Sequence, residues 1–475
     1  MDPRTLEQVA ADAGGRLLRG RPDAVVTGVA TDSRTAQHGR LFVALRGQRF
    51  DGHAFVRQAF ANGAVAALIR DGADLARELP PGAGLITVDD TLAGLQRLAA
   101  AQRSRLRACV IGVTGSVGKT TTKDMIAAIA ATRGRVVATR GNFNNEIGLP
   151  LTVLDADRDT DTLVVEMGMR APGEIRALAR LARPHVGVVT CVSAVHLERL
   201  GSLENIARAK QELVEELPAD GAAVLNGDDP LVRGMAARAP GAVLFFGFGV
   251  DNDVRATDVE LRGEQGSRFV IHAAGRRTRV ELPIPGRHHV SNALAAAAAA
   301  LACGWDLDDV AAGLRAVCTH RSAMRTELVT TPSGVRVIND AYNASPVSMT
   351  AALELLTTLP GRRKVAVLGD MLELGPLTEQ AHVQLGEDAA RRGVDLLITV
   401  GDQAATVAEA ARRAGMPAEA VVVCRDAEEA AAAALRHVRP GDVVLVKASR
   451  GLQLERVVER LTGPGRGAER GDGQA

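Results

Sequence analysis

Apolar residues fall along this chain in two rhythms. Short unbroken apolar runs, bounded by Gly, Pro, Asp or Arg, read as buried strands, while longer stretches with apolar positions every three or four residues read as helices. Near the N-terminus, strands are expected over 24–30, 41–45, 64–69 and 84–88, ending in a helix over 92–103. The arginine-rich stretch 103–107 reads as a hinge, and the apolar run 108–113 then opens a second unit. There, strands at 162–165, 186–192 and 222–225 alternate with helical segments, the pattern of a parallel sheet with helices on both faces. Four shorter pieces, 243–246, 253–261, 267–273 and 279–282, are expected to form an antiparallel appendage before an alanine-rich helix from Val290. A third unit is expected from His320, where strands 335–338, 364–368, 396–400, 421–424 and 443–446 again alternate with helices in a Rossmann-like pattern.

The fold class is therefore α/β with three domains. Residues 1–106 form a small α/β domain, 107–319 a central parallel-sheet domain with its antiparallel appendage, and 320–463 a Rossmann-like domain. A tail over 464–475, rich in Gly and charge, is expected to be disordered. A chain of 475 residues is too long for one ordinary core, which agrees with this division.

Composition narrows the class of function. With 46% apolar residues, 24% charged residues and a net charge of +1, the chain has neither a nucleic-acid footprint nor the signature of disorder. The longest mostly apolar run, 290–303, is shorter than the roughly 20 residues a membrane span needs, so no membrane insertion is expected. The first twenty residues lack the basic and apolar blocks of a secretory signal. Cys109, Cys191, Cys303, Cys318 and Cys424 are far apart in sequence and read as scattered core thiols in a reducing, cytoplasmic compartment. Of 57 basic residues only Lys119, Lys123, Lys210, Lys364 and Lys447 are lysines, so each lysine carries more information than any one arginine.

The strongest chemical signal is GVTGSVGKTTT over 112–122, between a buried strand and a helix expected over 123–132. In such a loop glycines let backbone N–H groups wrap phosphates, a lysine reaches the β- and γ-phosphates and a hydroxyl ligates Mg²⁺. Those roles fall to Lys119 and Thr120 within a loop made of Thr114, Gly115, Ser116, Val117, Gly118 and Thr121, which points to ATP. Val113 stands where the general pattern has glycine, giving the narrower TGSxGKTT form. Glu166 ends one apolar strand and His196 follows the next, so both should emerge at the same sheet edge as the loop, with Glu166 placed to hold Mg²⁺. Lys210 falls on the apolar face of a helix over 203–217 defined by Leu203, Ile206, Leu213, Val214 and Leu217. Burial there would lower its pKa and leave an amine able to take up CO₂ as a carbamate.

Taken together, TGSVGKTTTK (114–123), GNFNNEIGLPLT (141–152), EMGMR (166–170), AVHLERLGSLENIARAK (194–210), LNGDDP (225–230) and PGRHHVSNALAA (285–296) resemble the Mur ligase family of peptidoglycan synthesis. The third-unit stretches NDAYNASPVSM (339–349), VLGDMLELG (367–375) and VKASRGLQLE (446–455) look like the member that adds D-alanyl-D-alanine. Ser345, Ala448 and His289 depart from the Asn, Gly and Asn common at those family positions.

The resemblance implies that Lys119 and Thr120 hold the γ-phosphate and Mg²⁺, that Glu166 binds Mg²⁺ and His196 a second Mg²⁺, and that Lys210 carries a carbamate. It places Asn292, Arg325, Asp340 and Tyr342 around the adenine, ribose and phosphates, and Asn144, Asn145 and Glu146 in the groove for the nucleotide-peptide. The stretch 31–55 is similar to the family's UDP-recognising segment, with Ser33 and Arg34 as contacts. The implied reaction joins D-alanyl-D-alanine to UDP-N-acetylmuramoyl-tripeptide through an acyl phosphate in the cytoplasm, with a monomer as the expected state. Another Mur-type or folylpolyglutamate-type amide ligase, or an ATP-gated binding protein, are the alternatives.

Overall fold

A computed structural model describes residues 1–35, 38–47, 50–70, 79–317 and 324–463. Cys318, His320 and the tail 464–475 lie outside the described residues, as does the join expected at 319/320. Three sheets carry the architecture. The N-terminal five-stranded sheet runs in the spatial order Arg16–Arg19, Gly84–Thr87, Ala66–Ile69, Arg40–Val43, Gly28–Ala30, and only the pairing of Arg16–Arg19 is antiparallel. The helix Thr91–Arg105, capped by Asp90 Oδ1 accepting from the Ala93 amide at 2.9 Å, closes this domain.

The central sheet has nine strands. Cys109–Thr114 lies between Thr162–Glu166 and Val186–Val189, all parallel, so the ends of three strands converge on one edge. Val136–Ala138, a three-residue strand with no expectation behind it, borders Thr162–Glu166. The appendage differs from the sequence reading. Ala242–Gly247 pairs parallel to Ala222–Asn226 and Val254–Leu261 pairs parallel to Ala242–Gly247, so these pieces extend the main sheet. Only Ser267–Ala273 and Arg276–Leu282 add antiparallel hairpin pairings at its end. Local alternation makes a strand but does not choose its partner, and here the parallel edge of Ala222–Asn226 was open to take one.

The helix Arg287–Ala302 crosses the back of this sheet with Ala293 to Ala300 fully buried. Its alanines allow close packing with the helix Lys119–Ala130, and Gly313 serves the same end, since a Cβ there would fall 2.3 Å from Ile129 Cα.

The third sheet orders Glu327–Thr330, Arg336–Asn339, Val443–Lys447, Lys364–Gly369, Leu396–Val400 and Val421–Cys424, parallel except for its first pair. Ser345, a departure from the family pattern, forms a capping box with Ser348 ahead of Pro346, which explains why a short hydroxyl suffices there.

Two further expectations are corrected. Arg103 is no free hinge: it is buried inside its helix and donates to the carbonyls of Ala182 at 2.5 Å and Arg183 at 2.9 Å, pinning the first domain to the second. The cysteines are not all scattered, since Cys109 Sγ and Cys303 Sγ lie 3.2 Å apart, the strand start meeting the helix end.

Candidate active site

The phosphate loop leaves the sheet at Thr114 and enters its helix at Lys119 rather than at 123, so Lys119 and Thr120 occupy the first turn. There the unpaired amides and the positive helix end face the loop. Gly115 has φ +146° and a Cβ there would sit 1.8 Å from Thr190 Oγ1, while Gly118 has φ +85° and a Cβ would meet Asn292 Oδ1 at 2.4 Å. Side chains clamp the loop in shape. Thr114 Oγ1 donates to the Met167 carbonyl at 2.9 Å, Ser116 Oγ to the Ser193 carbonyl at 3.1 Å, and Thr190 Oγ1 to the Val117 carbonyl at 2.5 Å.

Glu166 is buried at its strand end, where Oε2 accepts from Thr120 Oγ1 at 2.8 Å and Oε1 from Asn144 Nδ2 at 2.8 Å. Lys119 Nζ folds back onto the carbonyls of Gly115 at 2.7 Å and Ser116 at 3.3 Å. Burial lowers the Lys119 pKa, with Glu166 opposing the shift. Lys210 is 2% exposed and has no recorded hydrogen-bond partner among the described residues; burial, reinforced by the Lys119 charge, brings its pKa down to about 7. Leu203, placed on the same apolar face from sequence, is instead partly exposed at the helix start.

His196 caps a short helix with φ +55°, and its Nδ1 contacts the carboxylate of Glu373 in the third domain. Burial lowers the pKa of this imidazole, and Glu373 works against that shift. His289 is buried, with Nδ1 3.4 Å from Asn292 Nδ2, and burial holds it neutral; the adjacent His288 is pushed down to about 4 by the same cause.

Gly115, Ser116, Gly118, Lys119, Thr120, Glu166, His196, Lys210, His288, His289 and Asn292 line one cavity of about 710 Å³ to which all three domains contribute, while Thr114 lies outside its wall. The first domain supplies Gln96, whose Nε2 donates to the Glu146 carbonyl at 3.1 Å. Asn145 also lines the cavity, although its Oδ1 accepts from the Gly148 amide at 2.9 Å and so shapes the helix start. From the third domain come Arg325, stacked 4.1 Å over the Tyr342 ring, and Asp340, paired with Lys447 Nζ at 2.6 Å. Thr121 and Val117 complete the wall of the loop.

Ser33 and Arg34 are not among the lining residues. Ser33 Oγ donates to Gln58 Oε1 at 2.9 Å inside the first domain, and the Arg34 guanidinium forks onto Asp32 at 2.9 and 3.0 Å. Residues 36–37 and 48–49 of that segment lie outside the described residues. Gln96 carried no signal in the sequence reading; His288, Glu373 and Arg450 lie inside the family-like motifs but were given no role, and Lys447 stood out further as one of five lysines.

A phosphate loop at the centre of a parallel sheet, walled by a third domain, agrees with the comparisons. The family model described as Mur ligase middle domain matches residues 113–300, the Mur ligase glutamate ligase domain matches 324–450, and the Mur ligase family catalytic domain matches 25–103. The chain belongs to the Mur ligase family. It is 43% identical over 463 residues to the UDP-N-acetylmuramoyl-tripeptide–D-alanyl-D-alanine ligase of Bacillus subtilis, covering 97% of this chain and 99% of that one. The Escherichia coli protein of the same name is 38% identical, covering 86% and 88%. A crystal structure of MurF from Acinetobacter baumannii superposes with a TM-score of 0.86 at 32% identity, covering 97% and 99%, and MurF from Thermotoga maritima in complex with ADP gives 0.78 at 30%, covering 92% and 97%. Within the family, this chain is therefore of the MurF type. A folylpolyglutamate synthase from Mycobacterium tuberculosis, 18% identical at a TM-score of 0.61 over 79% of this chain and 95% of that one, shares the fold alone.

Proposed function

We propose that this protein is an ATP-dependent amide ligase that joins D-alanyl-D-alanine to UDP-N-acetylmuramoyl-tripeptide through an acyl phosphate, in cytoplasmic synthesis of peptidoglycan precursors. The observation that carries the reading is a single cavity in which a phosphate loop, a buried carboxylate and a low-pKa lysine meet the third domain. Full-length relatives named for this reaction support the choice of substrates. Among the described residues no helix is long and apolar enough to cross a membrane, which suits a nucleotide-linked precursor handled in the cytoplasm.

Among the described residues, no cluster of three or more His, Cys, Asp or Glu side chains could cage a metal alone. Mg²⁺ takes one or two carboxylates together with substrate phosphates and water. Thr120 Oγ1 and Glu166 Oε2, already 2.8 Å apart, form such a sparse oxygen set. His196 offers nitrogen, a softer donor than Mg²⁺ favours, so a second Mg²⁺ site needs the hard oxygens that a carbamate on Lys210 would provide. An amine with a pKa of about 7 is partly neutral at physiological pH and can react with CO₂. When bound, Mg²⁺ supplies Lewis-acid stabilisation of charge on the phosphate oxygens.

The residues of the chain bind and position. Amides of the loop from Gly115 to Lys119 cradle the β- and γ-phosphates, and Lys119 Nζ leaves its own loop carbonyls to neutralise the transferring group. The Arg325–Tyr342 stack, Asn292 and Asp340 hold the nucleoside and phosphates at the domain junction. Asn144, Asn145 and Glu146 form the wall along which the peptide lies, and the first domain takes the UDP end through Ser33 and Arg34, whose guanidinium would exchange Asp32 for phosphate.

The terminal carboxylate of the tripeptide then accepts the γ-phosphoryl group and ADP leaves. The neutral amine of D-alanyl-D-alanine attacks the acyl phosphate carbonyl, and the tetrahedral adduct collapses to the amide, releasing phosphate and the amine proton. Closure of the third domain over the cavity excludes water from the acyl phosphate. The test is phosphate release from ATP: it should need UDP-N-acetylmuramoyl-tripeptide and D-alanyl-D-alanine together, and equal release without the dipeptide would refute the reading.

A further inference from the structure

The contact between His196 and Glu373 joins the central and third domains, and both residues sit in the left-handed backbone region, at φ +55° and +62°. Non-glycine residues persist there only where the surroundings impose it, and such positions concentrate at functional sites. The surroundings are built for docking. The Glu198 amide donates to the Glu373 carbonyl at 3.2 Å, and Gly375, at φ +54°, brings its backbone against Glu198, where even a Cβ would lie 3.3 Å from Glu198 Cα. Leu374 is buried in the third-domain core, while Leu377 and Ala194 pack against the cores of both domains. The loop 372–375 is thus held from both sides, and its one carboxylate lands on the imidazole nitrogen Nδ1.

A carboxylate only accepts hydrogen bonds, so the proton must reside on Nδ1 and the free lone pair on Nε2. His196 lines the cavity, whereas Glu373 is not among the lining residues and stands behind it. We propose that Glu373 is a positioning residue: by docking with the third domain it fixes His196 as the Nδ1–H tautomer, leaving Nε2 free as a ligand and so linking domain closure to assembly of the second metal site. This rests on the reading of His196 as a Mg²⁺ ligand. A hydrogen-bond partner on the far nitrogen is the usual means of orienting a ligating imidazole, and its loss typically costs about 10- to 100-fold in metal affinity or activity.

The test compares the wild type with Glu373→Ala and Glu373→Gln. Two-bond ¹⁵N correlation spectra of the histidine rings of the nucleotide-free protein report the tautomer, with the His196 signal assigned by its loss in His196→Gln. The wild type should show Nδ1–H, Glu373→Ala a mixture richer in Nε2–H, and Glu373→Gln, whose amide oxygen still accepts, an intermediate state. In turnover, Glu373→Ala should raise the Mg²⁺ concentration for half-maximal rate about 10- to 100-fold, with KM for the nucleotide-peptide within about twofold. An unchanged tautomer in Glu373→Ala overturns the proposal. A shifted tautomer with an unchanged Mg²⁺ requirement overturns the link to the metal, and if His196→Gln also leaves that requirement unchanged, the fault lies in the reading of His196 itself.

Discussion

Thr120 Oγ1 donates a 2.8 Å hydrogen bond to Glu166 Oε2, joining the first turn of the phosphate-loop helix to the end of the neighbouring strand. The two residues are 46 positions apart and come together because Thr162–Glu166 and Cys109–Thr114 are adjacent parallel strands in matched register. Glu166→Gln keeps one acceptor oxygen for the Asn144 amide, turns an NH₂ donor toward the Thr120 hydroxyl, which can accept it, and removes the charge. Its turnover should fall roughly 10²- to 10³-fold, the scale for loss of one preorganised electrostatic group, while its melting profile stays near that of the wild type. Steady-state phosphate release with calorimetry checks both halves.

The loop geometry predicts an asymmetry between stability and chemistry. Gly115→Ala brings a Cβ against Thr190 Oγ1 at φ +146°, so a backbone strain of about 1–3 kcal/mol adds to a clash that the buried Thr190 cannot relieve. The variant should be less stable and bind ATP at least about tenfold more weakly, measured by denaturant unfolding and equilibrium titration. Lys119→Met, which leaves the backbone alone, should lose turnover by roughly 10² or more with little loss of stability.

These relationships explain how much was legible in the sequence. Thr120, Glu166 and His196 could be placed because each follows a buried apolar strand, and parallel strands bring their ends to one edge. Lys210 could be placed because helical periodicity puts it on an apolar face. Gln96 could not, and Glu373 lay inside the motif 367–375 without a role, since both reach the site only through contacts between domains, which no local spacing encodes. The same limit explains the appendage: Ala242–Gly247 shows the pattern of a strand, but only the open edge of Ala222–Asn226 makes it parallel. Val136–Ala138 was missed because a three-residue strand is too short to show a period.

The pKa of Lys210 sets a pH dependence. The native amine releases its proton near pH 7, whereas the unfolded one does so near 10.5. Between those values the unfolded chain binds more protons, so stability rises with pH, and below pH 7 burial of the ammonium exacts its full penalty. Lys210→Met should therefore be more stable than the wild type at pH 6, with the difference shrinking as pH climbs toward 10.5. Urea unfolding in CO₂-free buffers tests this, and parallel curves across the range would contradict it.

Lys447 and Asp340 form a largely buried pair at 2.6 Å in the third domain. Lys447→Met leaves the carboxylate without its cation and should destabilise the chain by roughly 3 kcal/mol. Adding Asp340→Asn should recover part of that loss, so a double-mutant cycle by chemical denaturation measures the coupling.

One cavity is proposed to activate a carboxylate as an acyl phosphate and pass it to D-alanyl-D-alanine. Its most direct test uses UDP-N-acetylmuramoyl-tripeptide labelled with ¹⁸O in the terminal carboxylate, incubated with ATP, Mg²⁺ and the dipeptide, with both products read by mass spectrometry. The expected outcome is the pentapeptide product together with inorganic phosphate carrying one ¹⁸O per amide formed. Unlabelled phosphate, or ATP turnover without the pentapeptide, would contradict it.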